Sequence, residues 1–143
     1  MATLEIQGFE DLESAFKRIS DIPWEVTEEA LGQMATVAAG KIKATGESMG
    51  VRDPESNVHI LDKIKLAKAK KTMTGGELAI TFSGTRTRRK IETRNAEIAF
   101  VNEYGKRGQK ARPFVGIAMS ENEDKIMAAA ETVIGEWIEQ NFK

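Results

Sequence analysis

A chain of 143 residues, 41% hydrophobic and 30% charged, has the size and balance of one globular domain with its own core rather than of a disordered segment. It contains no cysteine, which excludes disulfides, thiol nucleophiles and cysteine-ligated metals and suits a reducing cytoplasm. The net charge of −1 hides a segregation: 5 basic against 12 acidic side chains in residues 1–62, 14 against 4 in 63–112, and 2 against 6 in 113–143. A basic middle between acidic ends suits a nucleic-acid surface, or copies of one protein attracting each other head to tail.

The opening "MATLEIQGFEDLE" has neither the basic nor the apolar region of a secretion signal, and no run reaches the ~18 apolar residues of a membrane span. "TLEIQG" alternates like a short edge strand. Phe9, Leu12, Phe16 and Ile19 then recur at helical spacing over 9–19. A long helix is predicted at about 22–45, with Pro23 at its first position and Glu25, Glu28 and Glu29 at its positive end. Leu31, Met34, Val37 or Ala38, Ile42 and Thr45 form its apolar stripe. Ala35, Ala38, Ala39 and Gly40 make another face small enough for close approach, and Gly46 and Gly50 end the element.

After a turn-rich connection, "DKIKLAKAK" and "ELAITFSG" alternate on either side of Gly75-Gly76. This predicts an antiparallel hairpin at about 62–70 and 77–83, with the glycines supplying positive φ. Residues 84–95 are polar and basic, with Arg86, Arg88, Arg89, Lys90 and Arg94, and read as a long mobile loop or a second hairpin tip. "AEIAFVNEY" reads as a third strand running into a helical turn near Tyr104. A last helix is expected at about 121–140, opened by a capping box of Ser120 and Glu123, with Ile126, Ala130, Val133, Ile134, Trp137 and Ile138 inward. The fold class is α+β: a small antiparallel sheet, a hairpin plus a third strand, packed by a long N-terminal and a C-terminal helix within a single domain over 1–143.

Catalytic and cofactor chemistry is hard to build from this chain. "GKRGQKARPF" has two glycines but no Gly-Lys-Ser/Thr, so it is not a phosphate loop. His59 is the single histidine, too little for a metal site or a Ser/His/Asp set, and reads as a surface or capping residue. Glu28/Glu29 and Glu121/Glu123 sit at helix starts as dipole partners and caps. The reading is therefore no enzyme, no cofactor and no metal. The basic 63–112 region lacks a groove-reading helix or stacking aromatics, so sequence-specific DNA recognition is disfavoured, while non-specific backbone contact remains open.

The densest stretch is "NEYGKRGQKARPF", residues 102–114. Within "AEIAFVNEYGKRGQKARPFVGIAMSENEDKI" it resembles the hallmark of small head–tail joining, or tail-completion, proteins of long-tailed bacteriophages and prophages. In that family a Glu-Tyr/Phe-Gly turn, a variable linker and an Ala-Arg/Gln-Pro-Phe turn precede the last helix. The matching positions are Glu103, Tyr104, Gly105, Ala111, Arg112, Pro113 and Phe114. The order of elements agrees over about residues 4–140, with one departure: "NVHILDKI" stands where many members carry Thr-Gly-x-Leu.

The resemblance implies an assembly role in the virion, made in the host cytoplasm. Such proteins form a ring, often six-fold, at the head-proximal end of the tail. They bridge the head connector and the tail tube or its terminator, and DNA passes through the centre. The implied partners are further copies of the chain, the connector, the tube or terminator, and passing DNA, with no membrane. On this reading Gly105 lets the chain turn sharply. Pro113 makes the last helix begin after it. Phe114 anchors that helix onto the sheet, and Lys106, Arg107 and Lys110 stay free for a partner. Two alternatives stand beside it: a non-specific nucleic-acid-binding accessory protein using residues 63–112, and, within the same class, a tail terminator.

Overall fold

The computed structural model describes residues 22–73 and 75–142, so the edge strand in "TLEIQG" and the helix over 9–19 lie outside the described residues. The fold is α+β. Helix α1 (Trp24–Ser48) leads through a connection and a 3-10 turn (Ile60–Asp62) into strands β1 (Ile64–Leu66), β2 (Lys70–Thr72), β3 (Gly75–Glu77), β4 (Ile80–Phe82), β5 (Thr85–Arg88) and β6 (Ile91–Arg94). Helices α2 (Asn95–Tyr104), α3 (Phe114–Glu121) and α4 (Glu123–Asn141) follow.

Pro23 flanks α1 rather than opening it: its φ and ψ of −58° and 145° are extended, and its carbonyl accepts the Val26 and Thr27 N–H groups at 3.0 and 3.3 Å. Gly46 does not end the helix. The reversal comes at Gly50, with φ of +73°, and the Val51 N–H returns to the Gly46 carbonyl at 2.9 Å. Ala30, Ala35, Ala38, Ile42 and Gly46 face inward. The small face holds in part: Ala35 and Ala38 are buried, but Ala39 is half-buried and Gly40 is exposed with nothing within 4 Å of an added Cβ, and the packing against Ala130 and Val133 of α4 is made by Ala30, nearer the helix start.

The hairpin forms with an unforeseen irregularity. Ile64 pairs with Phe82 and Leu66 with Ile80, whereas Lys70 pairs with Glu77 and Thr72 with Gly75. The pairing slips by one residue between the two ladders, so the first arm carries one extra residue, a bulge. It moves the inward position from Ile64 and Leu66 to Ala69, while the return arm keeps Leu78, Ile80 and Phe82 in step. Gly75 does have positive φ, 147°. Gly76 serves a different purpose, because a Cβ there would meet the Trp24 ring at 2.8 Å.

The segment read as a loop or second hairpin tip is a hairpin: β5 and β6 pair from Thr85↔Arg94 to Arg88↔Ile91. Its turn places Arg89 and Lys90 at φ of 51° and 67°, the left-handed pair that a two-residue reversal requires. The expected third strand is instead helix α2. Alternation would have buried Phe100 with Ile98. The helix buries Ile98, Ala99 and Asn102 and leaves Phe100 63% exposed. The strands thus form three two-stranded antiparallel ladders. Buried Asn95 joins them to α2: its N–H reaches the Gly84 carbonyl at 2.9 Å and its Nδ2 the Ser83 carbonyl at 2.7 Å.

The last helix also differs. "FVGIAMSE" is already helical, so the chain has α3 and α4 with a break at Asn122, φ −122° and ψ 17°. The capping box does not form, because Ser120 lies inside α3 and its Oγ donates to the Ile117 carbonyl at 3.3 Å. Asn122 Nδ2 turns back to the Ala118 carbonyl at 2.8 Å.

Phe114 is fully buried where α1, the first hairpin, α2 and α3 converge, among Ile42, Val51, Ile60, Leu61, Ile98 and Ala118. Its ring meets Phe82 edge-on, centroids 5.8 Å apart, so it does anchor a helix onto the strands. A Cβ on Gly46 would lie 2.6 Å from Leu61 Cδ2 and 3.1 Å from Phe114 Cδ2, so the α1 backbone itself walls this core.

That contact is testable from both sides. Phe114→Ala is expected to cost ~3–5 kcal/mol through a core cavity. Gly46→Ala is expected to cost ~1–3 kcal/mol by overpacking, although alanine is the better helix former. Gly40→Ala, with nothing within 4 Å, is expected to gain up to ~1 kcal/mol. Urea unfolding of the three variants reads all of this, and a stabilised Gly46→Ala would refute the close approach.

Candidate functional site

The two halves of the Glu-Tyr-Gly … Ala-Arg-Pro-Phe pattern close on each other. Glu103, at the end of α2, turns its carboxylate to the start of α3, where Oε2 accepts the Val115 N–H and Oε1 the Gly116 N–H, both at 2.8 Å. These are orphan donors at the start of a helix, and the Glu103 carboxylate caps both of them. Gly116 keeps the space clear: a Cβ there would sit 3.0 Å from Glu103 Oε1. The Arg112 N–H donates to the Asn102 carbonyl at 2.6 Å, and Arg112 Nη1 to the Gly50 carbonyl at 2.7 Å.

Between these anchors residues 105–111 form a small reversal. Lys106 and Gln109 exchange backbone bonds of 3.0 and 2.9 Å, with Gly108 at φ +83°. Gly105 has φ of +76°, and a Cβ there would lie 2.9 Å from the Ala111 nitrogen and the Gln109 carbonyl oxygen. Arg107, Lys110 and Pro113 are exposed. Tyr104 is 69% exposed and stacks at a tilt on Phe100, centroids 4.8 Å apart.

The second hairpin is held by the connection after α1. Asn57 and Thr87 bond twice: the Asn57 N–H to the Thr87 carbonyl at 3.2 Å, and the Thr87 N–H to Asn57 Oδ1 at 2.8 Å. Asp53 Oδ2 lies 3.4 Å from Arg86 Nη1 and 2.8 Å from Arg88 Nε, and Glu55 pairs with Arg88 and Arg89 at 2.7 and 2.9 Å. The Arg86–Asp53 pair is the most enclosed, its side chains 18% and 23% exposed, so it is screened least. Among the described residues Arg94, the last residue of β6, pairs only with Glu97 in the first turn of α2. Lys90 makes no ion pair among the described residues.

Further along the connection, Arg52 forks onto Asp62 at 3.1 and 3.0 Å and reaches Glu47 at 2.7 Å, while Lys43 lies 3.3 Å from Asp62. The hydrogen bonds from Arg52, aided by Lys43, hold the Asp62 carboxyl down at about 2 and raise the Arg52 guanidinium above its ordinary value. The Arg89 hydrogen bond likewise lowers Glu55 and raises Arg89. All these groups are solvated, so each pair adds little stability.

These elements enclose a cavity of about 430 Å³ between the 50–54 connection, the second hairpin, α2 and the 105–112 loop. Arg52, Arg86, Arg88, Lys106 and Arg112 line it with one carboxylate, Asp53, over a floor of Val51, Ile98 and Asn102. The structure therefore brings together Arg86 and Arg88 from the basic hairpin with Lys106 and Arg112 from the motif. Arg89, Lys90, Arg94, Arg107 and Lys110 lie outside the cavity. Sequence reasoning missed Arg52, Asp53, Asn102 and Gln109. One signal was present: acids in "VRDPES" placed before a hairpin of alternating arginines.

Among the described residues no three His, Asp or Glu side chains cluster as a metal set, and no helix is long and apolar enough to cross a membrane. His59 precedes the 3-10 turn, and its carbonyl accepts the Asp62 N–H at 3.0 Å. Its Nδ1 is buried without a partner. No protein-family model, curated protein or solved structure matches the chain.

Two outcomes follow from these contacts. Glu103→Ala strips two donors of their acceptor and is expected to cost ~1–2 kcal/mol, read by urea unfolding. A depressed aspartate stabilises fully above its unfolded value, near 3.8 for Asp62, and loses that contribution as pH falls through its folded value of about 2. Asp62→Asn is therefore expected to flatten the decline in stability across that window, measured as Tm against pH.

Proposed function

We propose that this chain is a structural protein of the head–tail junction of a long-tailed phage, joining the tail to the head connector as part of a ring. The observation that carries the reading is the clamp between the motif's two halves. The residues that bear the family resemblance are those that fasten α2 to α3 and push the 105–111 loop outward. A motif used this way is a scaffold for a contact surface rather than for chemistry.

Charge supports the same reading. Arg107 and Lys110 stand on the loop without a carboxylate partner among the described residues. Glu121, Glu123, Asp124, Glu131, Glu136 and Glu139 are exposed along α3 and α4 and likewise make no ion pair among the described residues. A ring contact joins two different faces of one subunit, and unpaired charges of opposite sign make such faces complementary. Exposed Phe100 and Tyr104, stacked on each other at the helix end that leads into the loop, add apolar area of the kind a stable contact needs.

The nucleic-acid alternative is weakened by the second hairpin, whose Arg89 and Arg94 are each engaged by a carboxylate of this chain and whose Arg86 and Arg88 line a concave hollow rather than a strip that could track a backbone. The tail-terminator alternative shares the proposed architecture and differs in position within the particle.

Deleting the gene from its phage or prophage and imaging the induced particles tests the proposal. The expected outcome is DNA-filled heads lying apart from tails of full length. Normally joined, infectious particles would exclude the joining role, and tails of uncontrolled length would point to the terminator.

A further inference from the structure

The cavity between the 50–54 connection, the second hairpin and the 105–112 loop is more basic than its structural duties require. We infer that it is a binding site for a small phosphorylated anion of the diphosphate class. The inference stands independently of the junction reading.

Five cationic side chains line the cavity against the single carboxylate of Asp53. Part of that charge is spoken for: Asp53 and Glu55 hold Arg88, and Glu47 and Asp62 hold Arg52. Three cations keep donors to spare. Arg86 makes one long contact, 3.4 Å to Asp53, although a guanidinium carries five N–H groups. Arg112 uses Nη1 on the Gly50 carbonyl, and Lys106 has no side-chain acceptor among the described residues. Arg88 Nε is buried and lies 2.8 Å from Asp53 Oδ2, yet without the alignment of a hydrogen bond. Such forked, under-used donors match the oxygens of a phosphoryl group, which accepts several at once.

Shape narrows the class. The cavity holds about 430 Å³. At ~30 Å³ per water molecule that is much more than one tetrahedral oxyanion fills. A concave, partly apolar hollow on this scale takes a small molecule rather than the convex backbone of a duplex. The adjoining hollow of about 230 Å³ shares Arg86 and Lys106 but adds Glu97, which repels anions and keeps the ligand in the larger space.

Isothermal titration of the full chain with inorganic phosphate and with pyrophosphate, at matched ionic strength, tests the site. Saturable binding is expected, tighter for pyrophosphate. Lys106→Gln is expected to weaken it about tenfold, because it removes a charge-assisted contact and disturbs no internal bond. Lys110→Gln removes the same charge from an exposed side chain that does not line the cavity and is expected to leave the affinity within about twofold, because a solvated charge is screened. Absence of saturable binding, or equal losses in the two variants, would overturn the site. Binding of a short single-stranded DNA in place of both phosphates would overturn the small-molecule assignment.

Discussion

The ring of Phe114 is the contact on which the rest of this fold leans. It is the one fully buried aromatic side chain among the described residues, and it touches elements far apart in sequence: Gly46 and Ile42 of α1, Leu61 of the 3-10 turn and Phe82 of the first hairpin. The described core is otherwise built of alanines and medium-sized aliphatic side chains, so no other buried group spans the same gap. Because Phe114 also opens α3, fixing the ring fixes the path of everything that follows it. Its position is secured by backbone constraints on both sides. Gly46 lets the α1 backbone close on it, and Pro113 and Glu103 define where its helix begins.

Electrostatics refine this arrangement rather than drive it. The exposed Arg52–Asp62 and Arg89–Glu55 pairs are short but lie in water, where screening and side-chain entropy consume most of the gain. Glu103 is a different case. It meets backbone donors that have no other protein acceptor, so its absence would leave N–H groups unsatisfied at a half-buried helix end. The enclosed Arg86–Asp53 pair works similarly for the second hairpin, whose strands carry little apolar surface and depend on Asp53, Glu55 and Asn57 to hold them.

Periodicity made much of the fold legible. The first hairpin, the inward face of α4 and, at Ala38 and Ile42, the α1 stripe follow from spacing, because burial there is one-sided, whereas the anchoring role of Phe114 came from the family resemblance. The α2 segment misled because "AEIAFV" fits period two as well as helical spacing, and only the packing of Ile98 and Asn102 separates them. The Ser120–Glu123 capping signature misled because its four residues fit a helix start equally well inside a helix that Pro113 had already opened at Phe114. The bulge beyond Leu66 leaves no trace in composition. The site was half legible. Clustered arginines and the Glu-Tyr-Gly and Arg-Pro-Phe turns were visible, but cavities form between segments distant in sequence. Asp53 and Arg52 acquire meaning only once the connection folds against β5.

The first hairpin has a consequence for the chain before it meets any partner. Among the described residues this two-stranded ladder has no further strand on either edge, and "LAITF" is apolar and β-prone enough to recruit an identical strand. Its companion arm carries Lys63, Lys65, Lys68, Lys70 and Lys71, all exposed. Two such arms brought edge to edge would stack ammonium against ammonium, a repulsion that grows with every added copy. The lysines therefore oppose edge-to-edge pairing of two such arms.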